Sequence, residues 1–274
     1  MYIVAIPIGN MADITLRALD ILRCVDIIAA EDTRHAAALL KFYTIGNRLI
    51  SYHDHNEDKR APGLIDRLKR GAAVALISEA GTPMVSDPGY RLVKKALENG
   101  IPVVPIPGVS ALVTALTASG LATDAFVFIG FLDRKKNRRL EQIRAMKNDR
   151  RTHILYESPR RIMALLAELI DALEDRNAVL AREMTKPHEE FIRGPLSGIL
   201  TKLEKRGGVK GECTLVIDGG DDRTDARSSL REEIVAALDG TDAKPAVMSK
   251  QIAEKLGMSK QAVYDEIVKI KHAR

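Results

Sequence analysis

Along the first half of the chain, short unbroken apolar runs alternate with stretches where apolar side chains recur every three or four positions. The runs at residues 2–7, 27–30, 49–52, 73–77 and 102–106 have the length and continuity of buried strands. The periodic stretches at 15–25, 35–42, 57–70, 90–99 and 110–119 read as helices, the first carrying Leu16, Leu19, Ile21 and Leu22. This alternation predicts a mainly parallel sheet with helices on both faces.

After Gly120-Leu121-Ala122-Thr123-Asp124 the pattern shifts. Strands are predicted at 126–131, 153–156, 178–182 and 214–217, with helices at 160–173 and 196–204 and a basic helical segment after the first strand. The chain therefore reads as two α/β domains, 1–122 and 123–220, with a ligand cleft between them, plus a small all-helical C-terminal domain at 225–274. The polar stretch Gly219-Gly220-Asp221-Asp222-Arg223-Thr224-Asp225 is the linker. In the tail, Ser229-Leu230-Arg231-Glu232 forms a capping box for a helix to about Leu238. Ser249 is read as the cap of a second helix ending at Gly257, and Ser259 as the cap of a third bearing Val263, Ile267 and Ile270. Two short helices joined through Gly257-Met258, with Ala253 four residues before the glycine, are helix-turn-helix-like. A three-helix cap packed on the body fits the same pattern.

Composition narrows the class. With 274 residues and 46% hydrophobic content, core size is not limiting. No apolar segment approaches the roughly 18 residues of a membrane helix, and no basic region precedes a hydrophobic stretch at the N-terminus. A cytoplasmic protein without membrane partners is expected, with Cys24 and Cys213 as buried thiols in a reducing compartment. Net charge is +5, yet nine basic residues face only Glu141 and Asp149 between positions 134 and 151. A solvated helix face explains such a run; concentrating more than the whole net charge in one segment points to a polyanion.

Chemistry gathers at predicted strand ends. Ser78-Glu79-Ala80-Gly81-Thr82-Pro83-Met84-Val85-Ser86-Asp87-Pro88-Gly89 follows a buried strand and far exceeds the usual connection of about 2–6 residues. Its small residues admit a ligand to the backbone, and Ser, Thr and Asp direct hydrogen bonds. Open α/β sheets bind ligands at this end of their strands. Pro7-Ile8-Gly9-Asn10 ends the first strand without a G-x-G-x-x-G fingerprint or P-loop, which disfavours nucleotide-phosphate cradles. Glu31-Asp32-Thr33-Arg34 ends the second strand; His53, His55 and Asn56 follow the third, where the two histidines lack partners for a metal site. Ser110, after Pro107-Gly108-Val109, either caps a helix or leaves backbone amides for a ligand. Tyr156-Glu157-Ser158-Pro159, Arg182-Glu183-Met184-Thr185-Lys186 and Gly211-Glu212-Cys213-Thr214 complete the set. Polar residues at strand ends in both halves suit a cleft between two domains.

Taken in order, these loops resemble the tetrapyrrole-methylase-like superfamily, the class III S-adenosylmethionine methyltransferases, and within it the branch acting on small-subunit ribosomal RNA. The ordered motifs run from Pro7 to Lys186, and the helical tail is similar to that branch's C-terminal helix-turn-helix. The resemblance implies 2′-O-methylation of a cytidine ribose in the decoding region of 16S rRNA, the assembled small ribosomal subunit as substrate, and a homodimer. By motif position it implies S-adenosyl-L-methionine contacts from Asn10, Ala80, Gly81, Thr82, Val85, Ser86, Ser110, Ala111, Tyr156, Met184, Gly211 and Glu212, with no metal. Glu79 stands where Asp is usual, Arg160 where His is common and Met184 where Leu is common, departures that bear on fine specificity.

Methyl transfer from a sulfonium needs alignment, and a ribose hydroxyl benefits from a general base. Glu79, Asp32 and Asp87 are the carboxylate candidates, with Glu79 or Asp32 favoured. His53 is a further candidate for that base, or for substrate contact. Arg34, Asn56 and Lys186 are candidates for phosphate or ribose, while Arg134, Lys135, Lys136 and the tail are candidates for rRNA backbone. A corrin or porphyrin C-methyltransferase would leave the basic segment and tail unexplained. A ligand-responsive DNA-binding regulator would be expected to have a markedly basic tail, whereas residues 223–274 hold ten basic and eight acidic side chains.

Overall fold

Strand alternation places core on both sides of the first sheet. Strands β1 (Tyr2–Val4), β2 (Ile27–Ala30), β3 (Leu49–Ser51), β4 (Val74–Ile77) and β5 (Val104–Ile106) run parallel in the order β3-β2-β4-β1-β5. Ile28, Ala30, Ala75 and Ile77 bury against helices α1 (Leu16–Cys24) and α2 (Thr33–Phe42). Their neighbours Ile27, Ala29, Val74 and Leu76 bury against α3 (Glu57–Lys69) and α4 (Tyr90–Glu98). Period-two alternation thus gives each strand two apolar faces, and the helices cover both, as predicted. Helix starts are fixed locally: Thr15 Oγ1 accepts from the Ala18 amide at 3.1 Å, and Asp32 Oδ1 from the Arg34 amide at 2.7 Å.

The computed structural model describes residues 1–220, 233–234, 237, 245–256 and 259–272. Residues 1–219 form one compact unit and 220–274 a second. Within the first unit, α5 (Ala111–Ser119) leaves β5 and packs on a second sheet. Its Ala115 and Leu116, with Ile8, share a cluster with Ile154, Val179, Ala181 and Val216. That sheet holds β6 (Phe126–Phe131), β7 (Thr152–Glu157), β8 (Asn177–Arg182), β9 (Glu190–Pro195) and β10 (Cys213–Ile217) in the order β6-β7-β10-β8-β9. β6 and β7 are parallel; the other pairings are antiparallel. Alternate residues Leu155, Leu180, Leu215 and Ile217 turn to the opposite face, against α6 (Lys136–Ala145), α7 (Ile162–Leu173) and α8 (Leu196–Lys205).

β9 has no counterpart in the sequence reading. It carries Glu190, Arg193, Gly194 and Pro195, poor strand formers that an edge position tolerates because one side needs no ladder partner. Cys24 is exposed at the end of α1, contrary to expectation, while Cys213 is buried. In the second unit, α9 spans Pro245–Leu256 and α10 Lys260–His272. Ser249 is not a cap but a buried residue inside α9. Proline opens a helix readily, since its missing N–H lies among donors that would be unpaired there anyway. Val263, Ile267 and Ile270 form the expected face and pack with Ile234, Met248, Ile252 and Ala253. The Ser229–Glu232 capping box, the Gly257-Met258 turn and most of the linker lie outside the described residues.

Candidate active site

Between β4 and β1, where the strand order reverses, the long loop is tied to its neighbours. Ile6 and Gly81 exchange backbone hydrogen bonds of 2.9 and 3.0 Å, and the Thr82 hydroxyl donates to the Val109 carbonyl at 2.8 Å. Such reversal points are where open parallel sheets hold ligands. A cavity of about 390 Å³ opens there, a size suited to a small-molecule ligand. Its walls come from Ile8 after β1, Glu79–Thr82 and Val85–Asp87 after β4, and Ser110 and Ala111 at the start of α5. The second sheet supplies Phe131, Tyr156 to Pro159, Met184 and Glu212 to Thr214.

Ten of the residues assigned to the cofactor by motif position line this cavity: Ala80, Gly81, Thr82, Val85, Ser86, Ser110, Ala111, Tyr156, Met184 and Glu212. Asn10 and Gly211 do not; they brace the walls. Asn10 Oδ1 accepts from the Ala12 amide, and its own N–H reaches Thr185 Oγ1, each at 3.0 Å. Gly211 has φ +88°, and a Cβ there would lie 2.3 Å from the Glu183 carboxyl. Ser110 occupies the position preceding α5, but its side chain makes no capping hydrogen bond. Met84, Ser86, Glu183 and Thr185 all have φ between 50° and 70°, a strained region for side-chain-bearing residues. Four such positions on the loops around one cavity mark it as built at a cost to backbone energy.

Charge separates the three carboxylates. Asp87 lines the cavity, and burial, with Glu31, Glu79 and Asp54 as negative neighbours, pushes its pKa up to about 7. Glu79 also lines the cavity but is half exposed and pairs with His35 Nδ1 at 2.7 Å. Asp32 is not in the lining. It caps α2 and forks onto the Arg34 guanidinium at 3.2 and 2.7 Å, which holds its carboxyl well below the usual carboxylate range. Burial raises Tyr156 to about 12 and Cys213 to about 11, so both are neutral at physiological pH.

The remaining sequence candidates sit outside the lining. Arg34 is exposed and engaged with Asp32. Asn56 Oδ1 accepts from the His53 amide at 3.0 Å and its Nδ2 lies 3.2 Å from Ser51 Oγ, so both residues shape the end of β3. The His53 and His55 rings are 6.0 Å apart. Among the described residues, no group of three or more His, Cys, Asp or Glu could hold a metal ion. Lys186 stands behind the wall, bridging Glu183 at 3.1 Å and Glu212 at 3.2 Å. Arg134, Lys135 and Lys136 open α6 just beyond Phe131, while Arg139 is engaged by Glu168 at 2.6 and 2.8 Å. Phe131 is the lining residue absent from every sequence motif. Its one signal was Gly130 inside an apolar strand, the mark of a bulge.

A family profile described as tetrapyrrole (corrin/porphyrin) methylases matches residues 1–200. A ribosomal RNA small subunit methyltransferase I from Micromonospora olivasterospora is 42% identical over 97% of this chain and 86% of its own length. One of the same name from Mesorhizobium japonicum is 43% identical over 99% of this chain and 92% of its own. Among solved structures, a uroporphyrin-III C-methyltransferase from Thermus thermophilus complexed with S-adenosyl homocysteine aligns with a TM-score of 0.57. At 20% identity it covers 79% of this chain and 96% of that one, which supports the fold. No helix among the described residues is long and apolar enough to cross a membrane. The sheet order, the cavity at its reversal point and the match across most of the length converge: the chain belongs to the tetrapyrrole (corrin/porphyrin) methylase family, in its ribosomal RNA small subunit methyltransferase I branch.

Proposed function

We propose that this S-adenosylmethionine-dependent methyltransferase modifies the 2′-hydroxyl of a cytidine ribose in the decoding region of 16S rRNA, within the assembled small subunit. The relatives' names support the rRNA substrate. One observation carries the chemistry: Asp87, a carboxylate near pKa 7, faces a cavity of nucleoside scale. The lining fits the cofactor. Ala80, Gly81, Ser86, Ser110 and Ala111 leave the backbone accessible, and the Glu212 carboxylate suits a cationic ligand rich in hydroxyls. When bound, S-adenosylmethionine supplies a methyl group already activated on a positively charged sulfur. The chain then holds the acceptor ribose in line, which alone contributes roughly 7–11 kcal/mol. Asp87 takes the hydroxyl proton as that oxygen becomes nucleophilic. A base with pKa near the working pH balances being ionised against being able to hold the proton.

In this reading residues 1–122 and 123–220 form the two walls of the cleft. Arg134, Lys135, Lys136 and the C-terminal segment 225–274 hold the rRNA backbone, and the enzyme acts as a cytoplasmic homodimer. The experiment is transfer of labelled methyl from S-adenosylmethionine to purified small subunits, with a porphyrinogen offered in competition. Label in 16S rRNA is the expected result. Label in the tetrapyrrole would replace this reading with the family's other chemistry.

A further inference from the structure

Resting on the rRNA reading, we infer that Phe131 is the stacking platform for the base of the nucleotide being methylated. A regular β6 would alternate, leaving Phe128 and Phe131 on opposite faces of the sheet. Instead Phe128 pairs with Ile154 and Phe131 with Tyr156, so three steps along β6 match two along β7. The extra residue is a β-bulge, with Gly130 at φ +71°. Bulges re-aim side chains beside active sites. This one turns Phe131 onto the cavity face beside Phe128 and Tyr156.

The result is a large apolar ring on the cavity wall that remains 53% exposed. Its own orientation is held from behind. The Tyr156 ring meets Phe131 edge-on at 5.7 Å between centroids and meets Phe128 the same way at 4.9 Å. Tyr156 is near enough to Asp87 for that charge to raise its hydroxyl pKa, so platform and base share one wall. Three residues on, Arg134, Lys135 and Lys136 present positive charge. An exposed ring, a carboxylate for the ribose and cations for flanking phosphates are the three parts needed to seat one nucleotide splayed from its strand. Every base has a π-face, and proteins reading unpaired RNA stack such bases on aromatic rings.

The test compares Phe131→Leu and Phe131→Trp in the full chain, using purified small subunits and, separately, calorimetry with S-adenosylmethionine. The Leu variant keeps apolar bulk and loses the π-face. It should raise KM for subunits, or lower kcat/KM, by about 5- to 150-fold, the equivalent of one lost base stack. Cofactor affinity should stay within about twofold. The Trp variant should regain most of the lost efficiency. A Leu variant with wild-type kcat/KM overturns the stacking role while leaving the function intact. A Leu variant with weakened cofactor affinity overturns it too, by assigning the ring to the cofactor. A wild-type enzyme inactive on subunits overturns the functional reading, and this inference with it.

Discussion

At the scale of single residues, Asp87 differs from Glu79 and Asp32 through what surrounds it. Asp87→Asn keeps shape and removes the base, so kcat should fall by about 10²–10⁴-fold while cofactor affinity, read by calorimetry, is retained. Wild-type kcat should rise with pH up to about 7 and then level, as the carboxyl ionises. Folding carries the same signature. The folded carboxyl holds its proton up to about 7, the unfolded one only to about 4. Its contribution to stability is therefore full below about 4 and is lost as pH climbs through 7. Urea midpoints at pH 5 and pH 8 should show that fall in the wild type and a smaller one in Asp87→Asn. Equal falls would contradict the raised pKa of this half-buried carboxyl. Sequence alone narrows the base to a few polar groups at strand ends. It cannot separate them, because the burial and the negative neighbours Glu31 and Asp54 that tune Asp87 arrive from other strands.

Among the elements, α6 and β6 carry local conflicts. The first turn of α6 has no acidic residue, and Lys135, Lys136 and Arg138 crowd the positive end of its dipole. Each such placement costs about 0.3–1 kcal/mol, which a purely structural helix would avoid. Reversing Arg134, Lys135 and Lys136 to Glu should therefore leave the thermal midpoint equal or higher. It should also shrink the salt dependence of RNA affinity by about 0.7–0.9 in logarithmic slope per lost phosphate contact. An unaltered slope would remove the segment from the RNA interface. In β6, Gly130→Val forces a branched side chain into φ +71°, with its Cβ 2.6 Å from Ser86 Oγ. A loss of about 1–3 kcal/mol in urea unfolding is expected. Strands and helices with strong periodicity were legible: β2 and β6 fall where the apolar runs placed them. β9 was not, since an edge strand need not look like one, and the bulge depends on pairing with β7 that a single strand does not display.

For the whole molecule, the apolar cluster of Ile8, α5 and the second sheet joins the two sheets into one unit, so the cavity draws its lining from both halves. Deleting residues 225–274 should weaken binding to small subunits and spare cofactor affinity; full activity on subunits would count against an RNA role for the tail. The alternation of elements made both α/β halves readable, and the strand-end loops pointed to one cleft. The reversal of strand order between β4 and β1 came only with the structure, because crossover connections leave no periodic trace. The central claim is tested most directly by mapping ribose methylation across 16S rRNA after incubating unmodified small subunits with S-adenosylmethionine and either wild type or Asp87→Asn. One new 2′-O-methylcytidine in the decoding region is expected with wild type, and almost none with the variant. Methylation on a base, outside the decoding region, or undiminished in the variant would contradict it.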